Sequence, residues 1–447
     1  MRSLINQIAE LQPIDIYGTV RAVRGLAIEV TGPPQLMQIG ARLKIEISDR
    51  RHIYAEVVGF RDDLIICLPF ADLAGVQGGC KAWLVAERGY VFPSSQWLGR
   101  VVDALGNPID GAGPMPRGAA QVAIQQSPLP AHQRTRVGAP INLGVRALNT
   151  FATCCLGQRM GIFAGSGVGK SVLLSMLARN TACDVAVIGL IGERGREVQE
   201  FIEENLGEEG LKRTVLVVAT SDESALRRRE AAYLTLALAE FFRDQGNHVL
   251  CMMDSVTRFA MAQREIGLAV GEPPATKGFT PTVFAELPRL LERAGPGRTA
   301  DGSITGLFTV LVEGDNTNEP ISDAVRGILD GHIVMSRDIA ERGRFPAIDV
   351  LRSVSRTMPG CVPEEVQPLL AEARRAMSIY ADMEELIRMG AYRSGSNAET
   401  DWAIQLNSEF ERFLSQSPSQ SATLEEGYSL LGAILGTAAN SSAPVDE

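Results

Sequence analysis

Between Tyr17 and Val85, apolar and polar residues alternate in short runs separated by Gly and Pro, at 18–23, 26–30, 42–47, 54–58 and 64–68. Period-two spacing with regular turns predicts a small all-β barrel or sandwich. A stretch rich in Pro, Gly and Gln, roughly 105–140, reads as a connector. From about 150 to 350 the pattern changes to unbroken apolar runs at 160–163, 184–190, 214–219, 248–253 and 306–312, alternating with helical stretches. Runs without polar alternation belong to strands covered on both faces, so this part predicts a parallel α/β domain. Thr220-Ser-Asp-Glu223 has capping-box spacing ahead of an Ala/Leu-rich stretch to Phe242 and predicts a helix start there. Beyond about 363 no strand pattern persists. Helices are expected over 364–389, 401–414 and 424–435, with a polar loop at 415–423 and a frayed tail at 440–447. The domains expected are a barrel over 16–85, an α/β domain over 86–362 that includes the connector, and a helical domain over 363–447.

A length of 447 residues agrees with two or three domains. A formal net charge of −10 gives no broad electrostatic attraction to nucleic acid or anionic membrane, and no nucleic-acid partner is expected. The seven cysteines (67, 80, 154, 155, 183, 251, 361) form no Cys-x-x-Cys pair. They argue against a disulfide framework and a zinc site, and fit a reducing cytoplasm. The four histidines are scattered and receive no catalytic role. Leu4, Ile5, Ile8 and Leu11 fall at helical spacing with polar residues between, unlike a signal peptide. No run approaches the ~18 apolar residues of a membrane span. Work at a membrane would therefore need partners.

Chemistry enters at residues 164–171, Ala-Gly-Ser-Gly-Val-Gly-Lys-Ser. A phosphate needs convergent donors and close backbone approach, which Gly165, Gly167 and Gly169 permit. With Ser166 and Val168 they form a loop between an apolar strand and a helix whose N-terminal amides face the anion. Lys170 would reach the β- and γ-phosphates and the Ser171 hydroxyl would ligate Mg²⁺, so ATP with Mg²⁺ is the expected ligand. Ala164 replaces the usual first glycine of the pattern. An acidic group at the end of another buried strand is needed for the magnesium shell, and Asp254 after His-Val-Leu-Cys-Met-Met fits. Hydrolysis needs a carboxylate that orients water, for which Glu193, ending a strand, is favoured. Glu197, four residues on in the next helix, competes but reads more simply as a solvent-face charge.

Four stretches together resemble the catalytic subunits of rotary ATP synthases and, more closely, type III protein-export ATPases: 98–111, 164–171, 192–198 and 346–356. The last has the spacing Pro-Ala-Ile-Asp-x-x-x-Ser-x-Ser that marks the family, and with 271–279 and 328–333 the resemblance covers nearly the whole chain. It implies a β-barrel, an α/β motor core with a phosphate loop and a helical C-terminal domain. By position, Glu193 matches the catalytic carboxylate, Arg194 the adjacent phosphate-side arginine and Arg356 an arginine finger serving the neighbouring subunit. Phe345 stands where the family usually has a tyrosine stacking on adenine. Without the motif Arg356 would read as a surface arginine. Residues around the phosphate loop and at 261–278 resemble the flagellum-specific export ATPase, with injectisome ATPases close to both. The resemblance implies ATP hydrolysis in the cytoplasm, at the inner face of the membrane, by a homohexamer. The partners it implies are a stator or regulator protein at the N-terminal helix 1–15, a central stalk, export-gate membrane proteins and chaperone–substrate complexes. A hexameric RNA translocase and a non-catalytic nucleotide-holding subunit are the competing classes. The acidic balance and the lack of an aromatic–basic strand-binding stretch weigh against the first, and Glu193 against the second.

Overall fold

The computed structural model describes residues 15–298, 302–312 and 319–441. The amphipathic segment expected at 1–15, apart from Asp15, and the tail beyond residue 441 lie outside the described residues. The alternating N-terminal segments close into a six-stranded antiparallel barrel: β1 (Tyr17–Arg24), β2 (Ala27–Thr31), β3 (Arg42–Ser48), β4 (Arg51–Arg61), β5 (Leu64–Pro69) and β6 (Lys81–Ala86), in the order β1-β2-β5-β4-β3-β6. Ile28, Val30, Leu43, Ile45, Ala55, Val57, Ile65 and Cys67 fill its interior. Closure leaves no open edge, so alternation alone suffices to define inside and outside.

A two-stranded ribbon of β7 (Tyr90–Val91) and β9 (Val122–Ala123) lies in the connector. Arg293 fastens this region to the core. Its buried guanidinium bonds both oxygens of Glu240, at 3.0 and 2.7 Å, and donates to the Ile124 carbonyl at 2.9 Å. The central sheet comprises β8 (Val101–Asp103), β10 (Arg159–Ala164), β11 (Val185–Glu193), β12 (Thr214–Thr220), β13 (His248–Asp254), β15 (Ser303–Leu311), β16 (Gly331–Met335) and β17 (Ile348–Ser355). Their order is β17-β16-β10-β15-β13-β11-β12-β8, and β14 (Gly295–Pro296) pairs with β15 off this path. Neighbours from β8 to β16 run parallel. Only β17 is antiparallel to its neighbour on this path.

The unbroken apolar runs supply both faces of this sheet. Ala186, Ile188 and Leu190 of β11 join the core beneath the helix Lys170–Asn180 and the C-terminal helices. Val185, Val187 and Ile191 join the opposite core, under Ala225–Arg243, Val256–Ala269 and Pro281–Leu291. Each buried Val, Leu or Ile stabilises by roughly 1.5–3 kcal/mol before chain entropy is counted. The helix expected to start at Thr220 begins instead at Ala225, capped by Ser224, whose side chain accepts from the Arg227 amide. Residues 220–223 are spent on leaving the sheet, the Glu223 amide bonding the Thr220 carbonyl at 3.1 Å.

Three helices, Gln367–Arg388, Ala398–Leu414 and Leu424–Ser441, follow the sheet. They return to the motor core through Leu406, Phe410 and Phe413, and through polar ties such as Gln416 Nε2 to the Gly144 carbonyl at 2.8 Å.

Barrel and core meet across a patch where Ile66, Leu68 and Phe70 pack on Leu226 and Ile266. Beside it lies a charge quartet: Arg42 and Glu56 of the barrel interleave with Arg229 and Glu230 of the helix Ala225–Arg243. All four are buried. Burying such charges is tolerable only while every one has a partner. Glu230→Ala should therefore lower the unfolding free energy by roughly 3–5 kcal/mol, by leaving Arg42 without its closest partner. Urea denaturation would measure this, and the pair Arg42→Met with Glu230→Leu should cost less than the two single changes added together.

Candidate active site

β10 delivers Ala164 to the C-terminal edge of the sheet, and the chain turns through Gly165–Gly169 into the helix Lys170–Asn180. Gly167 and Gly169 both have left-handed φ, +78° and +86°. At Gly169 a Cβ would also come within 3.3 Å of the Phe345 ring. The loop opens on a cavity of about 760 Å³ lined by Gly165, Ser166, Gly167, Gly169, Lys170 and Ser171, with Glu193 and Arg194 facing them. Val168 differs from its neighbours: its side chain is 1% exposed and packs into the core, leaving only its main chain for an anion.

Strand order explains the rest. β10, β15, β13 and β11 are consecutive neighbours, so their C-terminal ends converge. Lys170 Nζ lies 2.5 Å from Asp254 Oδ1, at the end of β13, and 3.4 Å from Glu193 Oε1, at the end of β11. From β15, the Thr309 hydroxyl donates to the same Asp254 oxygen at 2.7 Å. Burial works against the Lys170 charge, but the two carboxylates outweigh it and hold its pKa above the ordinary value. Glu193 behaves in the opposite sense. Burial, then the charge of Asp254, raises it to about 7 against the pull of Lys170, and a hydrogen bond with Glu197 adds to the rise.

Asp254 does not line the cavity itself; it lies behind Lys170, 6% exposed. Phe345 is 45% exposed and stands outside the cavity lining, its ring against the loop at Gly169. Its carbonyl accepts the Gln416 amide at 2.9 Å, so the C-terminal domain holds it in place. Arg356 is elsewhere altogether. It follows the last residue of β17, is exposed, and bonds through its amide to the Asp330 carbonyl beside the start of β16. Because β17 is antiparallel, this is the sheet edge opposite the phosphate loop.

Glu197 is a correction to the reading as a solvent-face charge. The helix Gly195–Glu200 starts directly after the strand end, and its first turn brings Glu197 into the cavity wall, bonded to Glu193 and 3.3 Å from Arg194. Four cationic residues of the wall were not singled out by sequence: Arg258, Arg264, Lys277 and Arg337. Arg258 had a legible signal, lying one helical turn after Asp254 in a helix capped by Ser255. Gly192 has φ +70°, and a Cβ there would lie 2.9 Å from the Arg258 side chain. That close approach brings Arg258 beside Glu193.

A phosphate loop on a parallel sheet, with a lysine between two strand-end carboxylates, defines a P-loop nucleotide-binding motor domain. Family models sharpen this. The nucleotide-binding domain of the ATP synthase alpha/beta family matches residues 144–355, the β-barrel domain of that family 20–82, and the C-terminal domain of the type III secretion ATPase EscN 362–433. The chain is 59% identical to the flagellum-specific ATP synthase of Caulobacter vibrioides, the alignment covering 97% of this chain and 99% of that one. It is 47% identical to the flagellum-specific ATP synthase of Bacillus subtilis, with coverages of 97% and 99%. It is also 47% identical to the type 3 secretion system ATPase of Xanthomonas euvesicatoria, with coverages of 94% and 94%. The assembled ATPase EscN from the type III secretion system of enteropathogenic E. coli superposes with a TM-score of 0.88 at 42% identity, covering 94% of this chain and all of that one. EscN in complex with its central stalk EscO gives 0.85 at 41% identity, with coverages of 94% and 100%. The chain thus belongs to the ATP synthase alpha/beta family, in its branch of flagellum-specific and type III secretion ATPases, and is a P-loop ATPase.

Glu193 gives this site a pH signature. The unfolded chain releases its proton near 4.5, whereas the folded, nucleotide-free protein holds it to about 7. Between these values the folded state binds more protons, so Glu193 contributes stability at low pH that is lost as pH rises through this window. Melting temperatures of wild type and Glu193→Gln, measured from pH 5 to 7.5, should converge on the acid side and separate towards pH 7.5, the variant being the more stable there. Parallel curves would place the raised pKa elsewhere.

Proposed function

We propose that this chain hydrolyses ATP to drive type III export of flagellar proteins, with Lys170, Glu193 and Asp254 as the centre of the site. The observation that carries the reading is the ammonium of Lys170 held between two carboxylates at the strand ends, 2.5 and 3.4 Å away. In that position it occupies the place where the terminal phosphates of a nucleotide would lie, with the loop amides and the helix N-terminus behind them. On nucleotide binding Lys170 would pass from the carboxylates to the β- and γ-phosphates, freeing Glu193 to hold water in line with the γ-phosphorus. A carboxylate whose pKa is near 7 suits a water-orienting base at neutral pH. Arg194 and Arg258, both in the cavity wall, are placed to meet charge that builds on the transferring group.

Magnesium fits the donors present. The Ser171 hydroxyl and the Asp254 carboxylate are hard oxygen ligands, and Mg²⁺ usually binds through one or two carboxylates plus the substrate's phosphates. Among the described residues no cluster of three or more His, Cys, Asp or Glu side chains could hold a metal without such phosphates. Bound there, the cation would neutralise phosphate charge. Phe345, against the loop and partly exposed, offers an aromatic face for the base.

Arg356 cannot serve its own site. β17 pairs along β16 from Met335 to Gly331, which sets Arg356 about 13 Å further along the strand direction from the phosphate-loop edge, at roughly 3.3 Å per residue, and beyond the opposite end of the sheet. A finger role therefore requires a second copy of the chain. The assembled EscN ATPase supports a ring of identical subunits, read as a homohexamer, and its complex with EscO supports a central stalk partner. No helix among the described residues is long and apolar enough to cross a membrane. The location proposed is the cytoplasm at the inner face of the cell membrane, reached through a stator protein at the N-terminal segment and through export-gate proteins. Chaperone–substrate complexes are the proposed cargo. The virulence-type injectisome is the second reading, favoured by the Xanthomonas relative and by EscN. Flanking genes for rod and hook proteins, as against needle proteins, decide between them.

Glu193→Gln should retain Mg-ATP binding, followed by a fluorescent nucleotide, while turnover falls at least 100-fold, the scale of a lost general base. Retention of most turnover would remove Glu193 from its role. Arg356→Ala and Lys170→Ala, each inactive alone, should regain turnover when mixed, because a copy with an intact phosphate loop can receive the finger of a neighbour whose own loop is disabled. No recovery in rings that contain both variants would show that Arg356 does not act between subunits.

A further inference from the structure

At the sheet edge opposite the phosphate loop, two thiols from distant parts of the chain face the same open cavity. Cys155 lies in the turn before β10, and Cys361 in the turn between β17 and the helix Gln367–Arg388. Both line a hollow of about 700 Å³ bounded by the connector at Val137–Pro140, the turn Gly360–Pro363, and Leu424 and Tyr428 of the last helix. The two thiols lie close enough to shift each other's titration in opposite directions. Cys155 is buried, whereas Cys361 is half-buried and reachable from the cavity.

The surrounding polar atoms hold the two turns in register. Buried Gln158 accepts the Cys155 amide at 2.9 Å and the Thr357 hydroxyl at 3.1 Å through one oxygen. Its amide nitrogen donates to Ser355 Oγ at 2.9 Å. Thr357 Oγ1 in turn lies 3.6 Å from Cys361 Sγ. One side chain thus spans both segments and holds the two cysteines at the wall of one cavity. The other titratable groups around the pair are Cys154 behind it and Tyr428 and Glu425 across the opening. The Cys155 thiol lowers Cys361 to about 6 against burial, while Cys155 itself is pushed up. Cys361 is also the more exposed of the two at the cavity, so it is the sulfur placed to meet an oxidant, with Cys155 behind it.

We propose that Cys155 and Cys361 form a reversible oxidation site that peroxide closes to a disulfide, tying the turn after β17 to the motor core. The Cys361 thiolate attacks one peroxide oxygen, giving a sulfenic acid and hydroxide. The Cys155 sulfur then displaces the sulfenic oxygen as water, forming the S–S bond. The hydroxide takes up the proton that Cys361 had already released, so two sulfurs each give one electron and peroxide becomes two waters. A dithiol reductant reverses the step through a mixed disulfide. Thr357, next to Arg356, lies within the tied turn, so the same cross-link fixes the segment that presents Arg356.

The test uses the full chain treated with hydrogen peroxide near pH 7, unfolded, and titrated for thiols. The count should fall by two from the seven of the reduced protein. A non-reduced peptide map should contain the 155–361 pair, lost again on treatment with dithiothreitol. In Cys361→Ser and in Cys155→Ala, each made separately, the same treatment should no longer remove two thiols, and a fall of two in either variant would overturn the assignment. So would an unchanged thiol count, a cross-link between other cysteines, or Cys361 carried to sulfinic acid with Cys155 still reduced. None of these readouts depends on nucleotide turnover, so the result stands apart from the reading of the ATP site.

Discussion

A single ammonium group held between two carboxylates is the constraint around which this chain is organised. Lys170 stands on a loop, Glu193 and Asp254 on the ends of two strands, and three separate crossovers of the chain must agree before the distances of 2.5 and 3.4 Å exist. A parallel sheet buried on both faces meets that demand, because its strand ends cannot shift without opening the two apolar cores that grip each strand. Burial, and after it the nearby charge of Asp254, explains the raised pKa of Glu193, which the lysine only partly offsets.

Rigid placement at one edge contrasts with what surrounds it. The barrel contributes no residue to the phosphate cavity, yet it is joined to the helix Ala225–Arg243 by a quartet of buried charges. That helix packs on β11 and β13, the strands carrying Glu193 and Asp254, and Gly189 lets Thr235 approach β11 more closely than a Cβ would allow. A continuous set of packed groups therefore leads from the barrel to the two carboxylates. An apolar interface of similar shape would stabilise as well or better. The quartet instead demands one register of barrel against helix, since a small slip would strand a buried charge.

How much of this was legible in the sequence depended on how one-sided each signal was. Barrel strands and buried parallel strands announced themselves because every residue in them answers to the same environment. β17 did not, since an irregularity between Asp349 and Val354 switches which residues turn inward: Ile348 and Val350 before it, Ser353 and Ser355 after it, with Arg352 and Val354 exposed, which breaks the apolar run. Its antiparallel direction left no mark at all. Asp254 was readable only beside the phosphate loop, since an apolar run ending in a carboxylate is common by itself, and Glu193 because it ends a strand at the edge where ligands sit; both lie next to Lys170. Glu197 was misjudged for the complementary reason: on a short helix, the sequence does not say which way the first turn faces. The cavity's other cations, Arg258, Arg264, Lys277 and Arg337, come from segments separated in sequence, and only the fold gathers them.

The direction of β17 has the widest consequence. Phe345, three residues before its start, stands beside the phosphate loop, and Arg356, the residue after its end, stands at the opposite edge. One strand thus links an aromatic ring at the phosphate loop to an exposed guanidinium at the other edge. Read through the proposed finger role, β17 becomes a rod between two sites, and a change in the base contact at Phe345 is felt by whatever Arg356 touches. The C-terminal domain grips both ends, through Gln416 at Phe345 and through the turn that begins at Thr357. A displacement of that domain would therefore reach Phe345 and Arg356 together.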